Sequence, residues 1–167
     1  MAFGIDPKVV EQVTKAVRKV TDKPVIVKLS PNVTDIVEIA KAVEAGGGNG
    51  VSLINTLLGM AIDIHRRKPV LGNIYGGLSG PAVKPVALRM VHQVYKGVTI
   101  PIIGLGGIMT GTDAIEFMMA GAQAVQVGTA TMVDPTAISR IAREMSEYVE
   151  QHNLNSITDI VGAVHQA

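Results

Sequence analysis

Short apolar runs alternate along this chain with segments of helical periodicity, and this constrains the fold more than any other feature. Residues 25–29 (Val-Ile-Val-Lys-Leu), 51–54, 100–104 and 124–127 read as strands. Asp6-Pro7 opens a helix carrying Val9, Val10, Val13, Ala16, Val17 and Val20. Thr34-Asp35 opens a second with Ile36, Ile39, Ala40 and Val43, which Gly46-Gly47-Gly48 ends. Ser79-Gly80-Pro81 starts a third, with Val83, Val86, Ala87, Met90, Val91 and Val94 on its apolar side. A fourth runs from about Thr112 to Ala120, Asp134-Pro135 begins a fifth to about Gln151, and Ser156–Val161 forms a short last one. This order predicts an α/β protein with four parallel strands and flanking helices. The unbroken β-branched run at 25–29 predicts a strand covered on both faces. A closed barrel needs eight strands and typically about 250 residues. Two architectures therefore stay open: a doubly wound sheet, or a piece of a barrel.

Composition narrows the class. Hydrophobic residues make up 47% and charged residues 17%, which fits one globular domain over residues 1–167 and excludes disorder and coiled coil. A net charge of +1 gives no reason to expect nucleic acid or an acidic membrane surface. No apolar run is long enough to cross a bilayer, and the N-terminus lacks a signal-peptide pattern, so a cytoplasmic protein is expected. The chain has no cysteine, which excludes disulfides, thiolate metal sites and cysteine nucleophiles within it. His65, His92, His152 and His165 share no ligand spacing, so no metal site is expected. The Met residues read as core filler.

Chemistry concentrates where strands end. Gly104-Leu-Gly-Gly-Ile108 and Val127-Gly-Thr-Ala130 each close an apolar run with glycine, where backbone N–H groups can approach an anion. In a barrel, the loops after the last two strands form the usual phosphate site. Lys28 ends the first strand, either as a lysine reaching water or as a fixed cation aimed into a site. Asn55-Thr56 ends the second, either as turn chemistry or as ligand-binding groups. Carboxyl ends of parallel strands share one face, and that face carries the site. Gly76-Gly77-Leu78-Ser79-Gly80-Pro81 leads into a helix N-terminus and could donate amides there. The connection from Asn55 to about Leu78 is long enough for a lid, and its His65-Arg66-Arg67-Lys68 cluster reads as a solvated face.

Several strings together resemble dihydroorotate dehydrogenase, in its NAD-linked, two-subunit class 1B form. They are Val-Ile-Val-Lys-Leu-Ser-Pro-Asn (25–32), Ile-Asn-Thr-Leu-Leu-Gly-Met-Ala-Ile-Asp-Ile (54–64), Gly-Gly-Leu-Ser-Gly-Pro-Ala-Val-Lys-Pro-Val-Ala-Leu-Arg (76–89), Gly-Leu-Gly-Gly-Ile (104–108) and Val-Gln-Val-Gly-Thr-Ala (125–130). The 54–64 string fits this family better than the related barrel domain of dihydropyrimidine dehydrogenase. The resemblance implies the C-terminal half of an FMN-binding (β/α)8 TIM barrel that oxidises dihydroorotate to orotate in pyrimidine biosynthesis. It implies FMN contacts from Lys28, Ile54, Gly80, Gly106, Gly107, Gly128 and Thr129, and substrate contacts from Asn55 and Thr56. It also implies an electron-transfer subunit carrying FAD and an iron–sulfur cluster, which passes electrons to NAD.

In that class the general base is a cysteine in the N-terminal half. This chain has none, so the resemblance assigns it no catalytic residue and predicts a fragment that does not turn over alone. A non-catalytic FMN- or phosphate-binding half-barrel is the alternative. A half-barrel leaves two sheet edges unpaired, so a homo-oligomer or closure by a complementary N-terminal half is expected.

Overall fold

The computed structural model describes residues 3–166; residues 1, 2 and 167, at the ends of the expected 1–167 unit, lie outside it. Helix α1 (Pro7–Arg18) starts where the Asp6 carboxylate accepts the Lys8 amide. It stops short of Val20, whose side chain is exposed. Strand β1 (Ile26–Lys28) leads to α2 (Ile36–Ala45), capped by Asp35, and then to β2 (Gly50–Leu53).

The long connection is ordered as two antiparallel ribbons rather than an irregular lid. Strand β3 (Leu57–Met60) pairs with β6 (Tyr75–Leu78), and beyond them β4 (Ile62–Asp63) pairs with β5 (Lys68–Pro69). Pairing satisfies backbone groups that a loop of this length would otherwise leave to water. His65–Lys68 sits at the exposed tip. A 3₁₀ turn (Pro81–Val83) then enters α3 (Lys84–Tyr95), followed by β7 (Ile102–Leu105), α4 (Gly111–Met119) and β8 (Ala124–Gln126).

The expected long helix from Asp134-Pro135 to about Gln151 is present, and a short helix that the sequence reading did not expect precedes it. The short helix is α5 (Thr129–Val133) and the long one α6 (Ala137–Gln151), and the backbone at Asp134 between them is extended. The expected short helix at Ser156–Val161 is a 3₁₀ turn, Ile157–Ile160, and a second 3₁₀ turn, Ala163–His165, follows it.

The main sheet has strand order β1-β2-β7-β8, and every pairing is parallel. Each strand lies beside its predecessor. A doubly wound sheet reverses order at a switch point, and none occurs here, so the architecture is the half of a (β/α)8 barrel. Right-handed crossovers in one direction place the helices on one face. On that face Val51, Leu53 and Ile102 are almost fully buried in a core shared with α2, α3 and α4, where Phe117 is the largest fully buried side chain. The opposite face would line a barrel's interior. Register places Lys28, Ser52, Ile103 and Ala124 in one row there, with Leu105 and Gln126 one row nearer the carboxyl ends.

The expectation that β1 is covered on both faces is corrected. Its burial alternates, and Ile26 is 51% exposed. The helices cover only one side, and at this edge the inner face meets no second layer among the described residues. No helix among those residues is long and apolar enough to cross a membrane.

Candidate functional site

The carboxyl ends of the four parallel strands surround a cavity of about 250 Å³. Lys28 is the last residue of β1, Ile54-Asn55-Thr56 follows β2, Gly106-Gly107 follows β7, and Gly128-Thr129 follows β8. Gly80 precedes the turn into α3. All nine of these residues line this one cavity. Separate chain segments therefore meet because parallel strands end on a common face.

The loop after β7 divides its amides between two uses. Met109 and Thr110 each donate to Asp113 Oδ2 at 2.9 Å, and Gly111 donates to the Glu144 carboxylate. The start of α4 is thus already capped. By contrast, the amides of Gly106, Gly107 and Ile108 donate to no protein acceptor among the described residues, and neither does that of Gly128. Such unpaired donors on a cavity wall suit an anion. Gly107 has φ +77°, and a Cβ there would lie 2.7 Å from the Gly80 carbonyl oxygen, so only glycine lets this loop run against the α3 turn. Thr129 Oγ1 donates to Ser79 Oγ at 2.9 Å, which ties the loop after β8 to the same turn.

The loop after β2 is pinned by its backbone. Ile54 N donates to Leu105 O at 2.8 Å, and Asn55 N donates to Leu29 O at 2.9 Å. Asn32 clasps the next residues, donating to Thr56 O at 3.0 Å and accepting from Leu58 N at 2.9 Å. Gly77 on β6 lies so close that a Cβ would strike the Thr56 side chain. The side-chain amide of Asn55 and the Thr56 hydroxyl are left exposed, with no hydrogen-bond partner among the described residues. A fixed backbone presenting free donors and acceptors suits a flat, polar ring.

Lys28 is exposed and, among the described residues, is the one titratable side chain on the cavity wall. It forms no ion pair among the described residues, so its charge is available to a ligand. No cluster of three His, Cys, Asp or Glu side chains that could hold a metal exists among the described residues.

Sequence reasoning gave the Ser79 hydroxyl no role and missed Gln126, Met132 and Asn32. Gln126 was within reach, since it ends β8 on the inner-face alternation set by Ala124. Asn32 lies inside the Leu-Ser-Pro-Asn string, but its contact with Thr56 spans 24 residues and leaves no local signal.

The family model described as dihydroorotate dehydrogenase matches residues 1–149. The catalytic subunit of dihydroorotate dehydrogenase B (NAD(+)) from Geobacter sp. (strain M21) is 60% identical over 98% of this chain and 54% of its own length. That of Desulforamulus reducens is 63% identical over 99% of this chain and 54% of its own, and that of Alkaliphilus oremlandii is 62% identical over 96% and 53%. The chain spans about half the length of the curated relatives it matches. With a family match over most of its residues and a sheet built as half of a barrel, the chain belongs to the dihydroorotate dehydrogenase family.

Proposed function

We propose that this chain forms the flavin-phosphate and pyrimidine walls of an NAD-linked dihydroorotate dehydrogenase, acting in pyrimidine biosynthesis. The observation that carries this reading is the convergence of unpaired glycine amides, an unpaired lysine and a free amide–hydroxyl pair in one cavity. The donor set fits FMN: Gly106, Gly107, Gly128 and Thr129 for the phosphate, Gly80 and Ile54 beside them, and Lys28 for the electron-rich ring. Asn55 and Thr56 would bind dihydroorotate or orotate. When bound, FMN supplies the acceptor for a hydride from dihydroorotate. Lys28 would place positive charge beside the ring. The glycine amides fix the phosphate, and Asn55 and Thr56 orient the pyrimidine.

Proton removal from the substrate carbon needs a base. Among the described residues that line the cavity there is no Asp, Glu, His or Cys, so in this reading the base would come from another polypeptide. The FAD and iron–sulfur cluster belong to an electron-transfer partner, since a chain without cysteine offers no thiolate for a cluster. Edges β1 and β8 have no neighbouring strand among the described residues, which supports closure by a complementary half or in a homo-oligomer. The composition supports a cytoplasmic setting.

Flavin fluorescence on titration with FMN tests the reading. Saturable quenching is expected, weakened in Lys28→Ala and Gly128→Val; undiminished affinity in both variants would refute these contacts. The absence of Asp, Glu, His and Cys from the cavity wall among the described residues also favours a second reading, a non-catalytic FMN-binding half-barrel. Dihydroorotate turnover separates the two. In the first reading the chain joined by a complementary half should turn over, and steady turnover by the 167-residue chain alone would contradict both.

A further inference from the structure

Lys84, the first residue of α3, lies behind the cavity wall rather than on it. Its main chain presses on the loop after β7: a Cβ on Gly107 would lie 2.9 Å from both Lys84 N and Lys84 Cβ. Its ammonium group donates to Asp113 Oδ1 at 2.6 Å and lies 3.0 Å from Glu116 Oε2. The other Asp113 oxygen holds the Met109 and Thr110 amides. One residue therefore touches the loop at Gly107 and, through Asp113, grips it again at 109–110. The unpaired amides of Gly107 and Ile108 stand at the first of those points and between the two.

We propose that Lys84 and Asp113 form a clamp that positions the Gly107 and Ile108 amides for the phosphate of the flavin. This rests on the reading given under Proposed function. Lys84 is a positioning residue, and its charge is not aimed at the phosphate. Two carboxylates surround one ammonium, so the cluster carries a net negative charge and offers a dianion no attraction of its own. Its effect on a phosphate must run through loop geometry. Both groups stay charged across the neutral range: hydrogen bonds to Asp113 and Glu116 push Lys84 up, and burial of Asp113 is outweighed by Lys84 and the two loop amides, which pull it down. The side chains of Lys84 and Asp113 are 27% and 14% exposed, so water screens the pair only in part.

The test compares FMN with riboflavin, which lacks the phosphate, in fluorescence titrations of the full chain and of Lys84→Met. FMN affinity should fall about tenfold or more, the scale of a lost charged hydrogen bond, while riboflavin affinity stays within about twofold. Lys84→Arg should recover most FMN affinity, because a guanidinium can still span both carboxylates. Should Lys84→Met not fold, the isosteric Asp113→Asn carries the same expectation. Equal losses for FMN and riboflavin would show that the pair only supports the scaffold, and unchanged affinities would also overturn the clamp. A parent chain that binds FMN no better than riboflavin would instead refute the phosphate reading itself.

Discussion

Gly107→Ala and Gly128→Ala place the same methyl group on two walls of the cavity, and the structure predicts a large loss of stability for the first and almost none for the second. At Gly107 the backbone has φ +77°, where an alanine costs roughly 1–2 kcal/mol. Its Cβ would also lie 2.7 Å from the Gly80 carbonyl oxygen and 2.9 Å from the Lys84 amide nitrogen. Both are backbone atoms that cannot rotate aside, and overpacking of this kind costs about 1–3 kcal/mol. The total is about 2–5 kcal/mol, against a stability of about 5–15 kcal/mol for an ordinary domain. Gly128 has φ −115°, and a Cβ there meets nothing within 4 Å. Its substitution should change stability by less than about 0.5 kcal/mol. Urea unfolding followed by circular dichroism gives both values, with a midpoint shift of roughly 1 M or more expected for Gly107→Ala alone. Flavin titration of the folded variants should show weaker FMN binding in Gly128→Ala despite its unchanged midpoint. Equal midpoints for the two variants would refute the close approach of the β7 loop to the α3 turn.

Phe117 is the largest fully buried side chain and packs between α4 and the sheet, so Phe117→Ala should lower the unfolding free energy by about 3–5 kcal/mol; a loss under about 1 kcal/mol would place that ring outside the core. Glu44 ties the end of α2 to the approach to β7, accepting from Thr99 Oγ1 at 2.6 Å, Thr99 N at 2.8 Å and Ile100 N at 3.2 Å. Those bonds, led by the Thr99 hydroxyl, hold its pKa below the ordinary 4.5. A carboxylate depressed in the folded state contributes stability that is complete above its unfolded pKa and is lost as pH falls through the folded one. Glu44→Gln should therefore be less stable than the parent at pH 7, with the difference shrinking below about pH 4.3; a difference independent of pH would contradict the assignment.

The strand-ending residues were legible because parallel strands deliver their carboxyl ends to one face, whatever lies between them in sequence. Lys28, Asn55, Gly106 and Gly128 could be grouped on that rule alone. Strand order was not legible, because alternation of helix and strand fits a doubly wound sheet as well as a barrel segment. It took the β1-β2-β7-β8 order to decide. Helix α5 was missed because Thr-Ala-Thr-Met-Val has no apolar face at helical spacing, and it forms where Gly128 ends the strand path. The ribbons over 57–78 were hidden by strands of only two to four residues, too short for alternation to register. The expectation of cover on both faces of β1 failed for a physical reason. A β-branched run records what a barrel strand would bury, and here the inner layer is absent among the described residues, leaving Ile26 open. The contact between Lys84 and Asp113 spans 29 residues and joins two helix starts, so no local pattern marks it.

Backbone amide NMR of the full chain during titration with FMN tests the central claim most directly. The largest shifts should fall on Gly106, Gly107, Ile108, Gly128 and Thr129, the amides around the cavity. Inorganic phosphate at high concentration should move the same signals in the same direction, and Asn55 and Thr56 should respond to added orotate. Shifts gathered elsewhere, such as the groove lined by Leu88, His92 and Val164 on the outer helical side, would contradict it, as would no shift at any of those glycines.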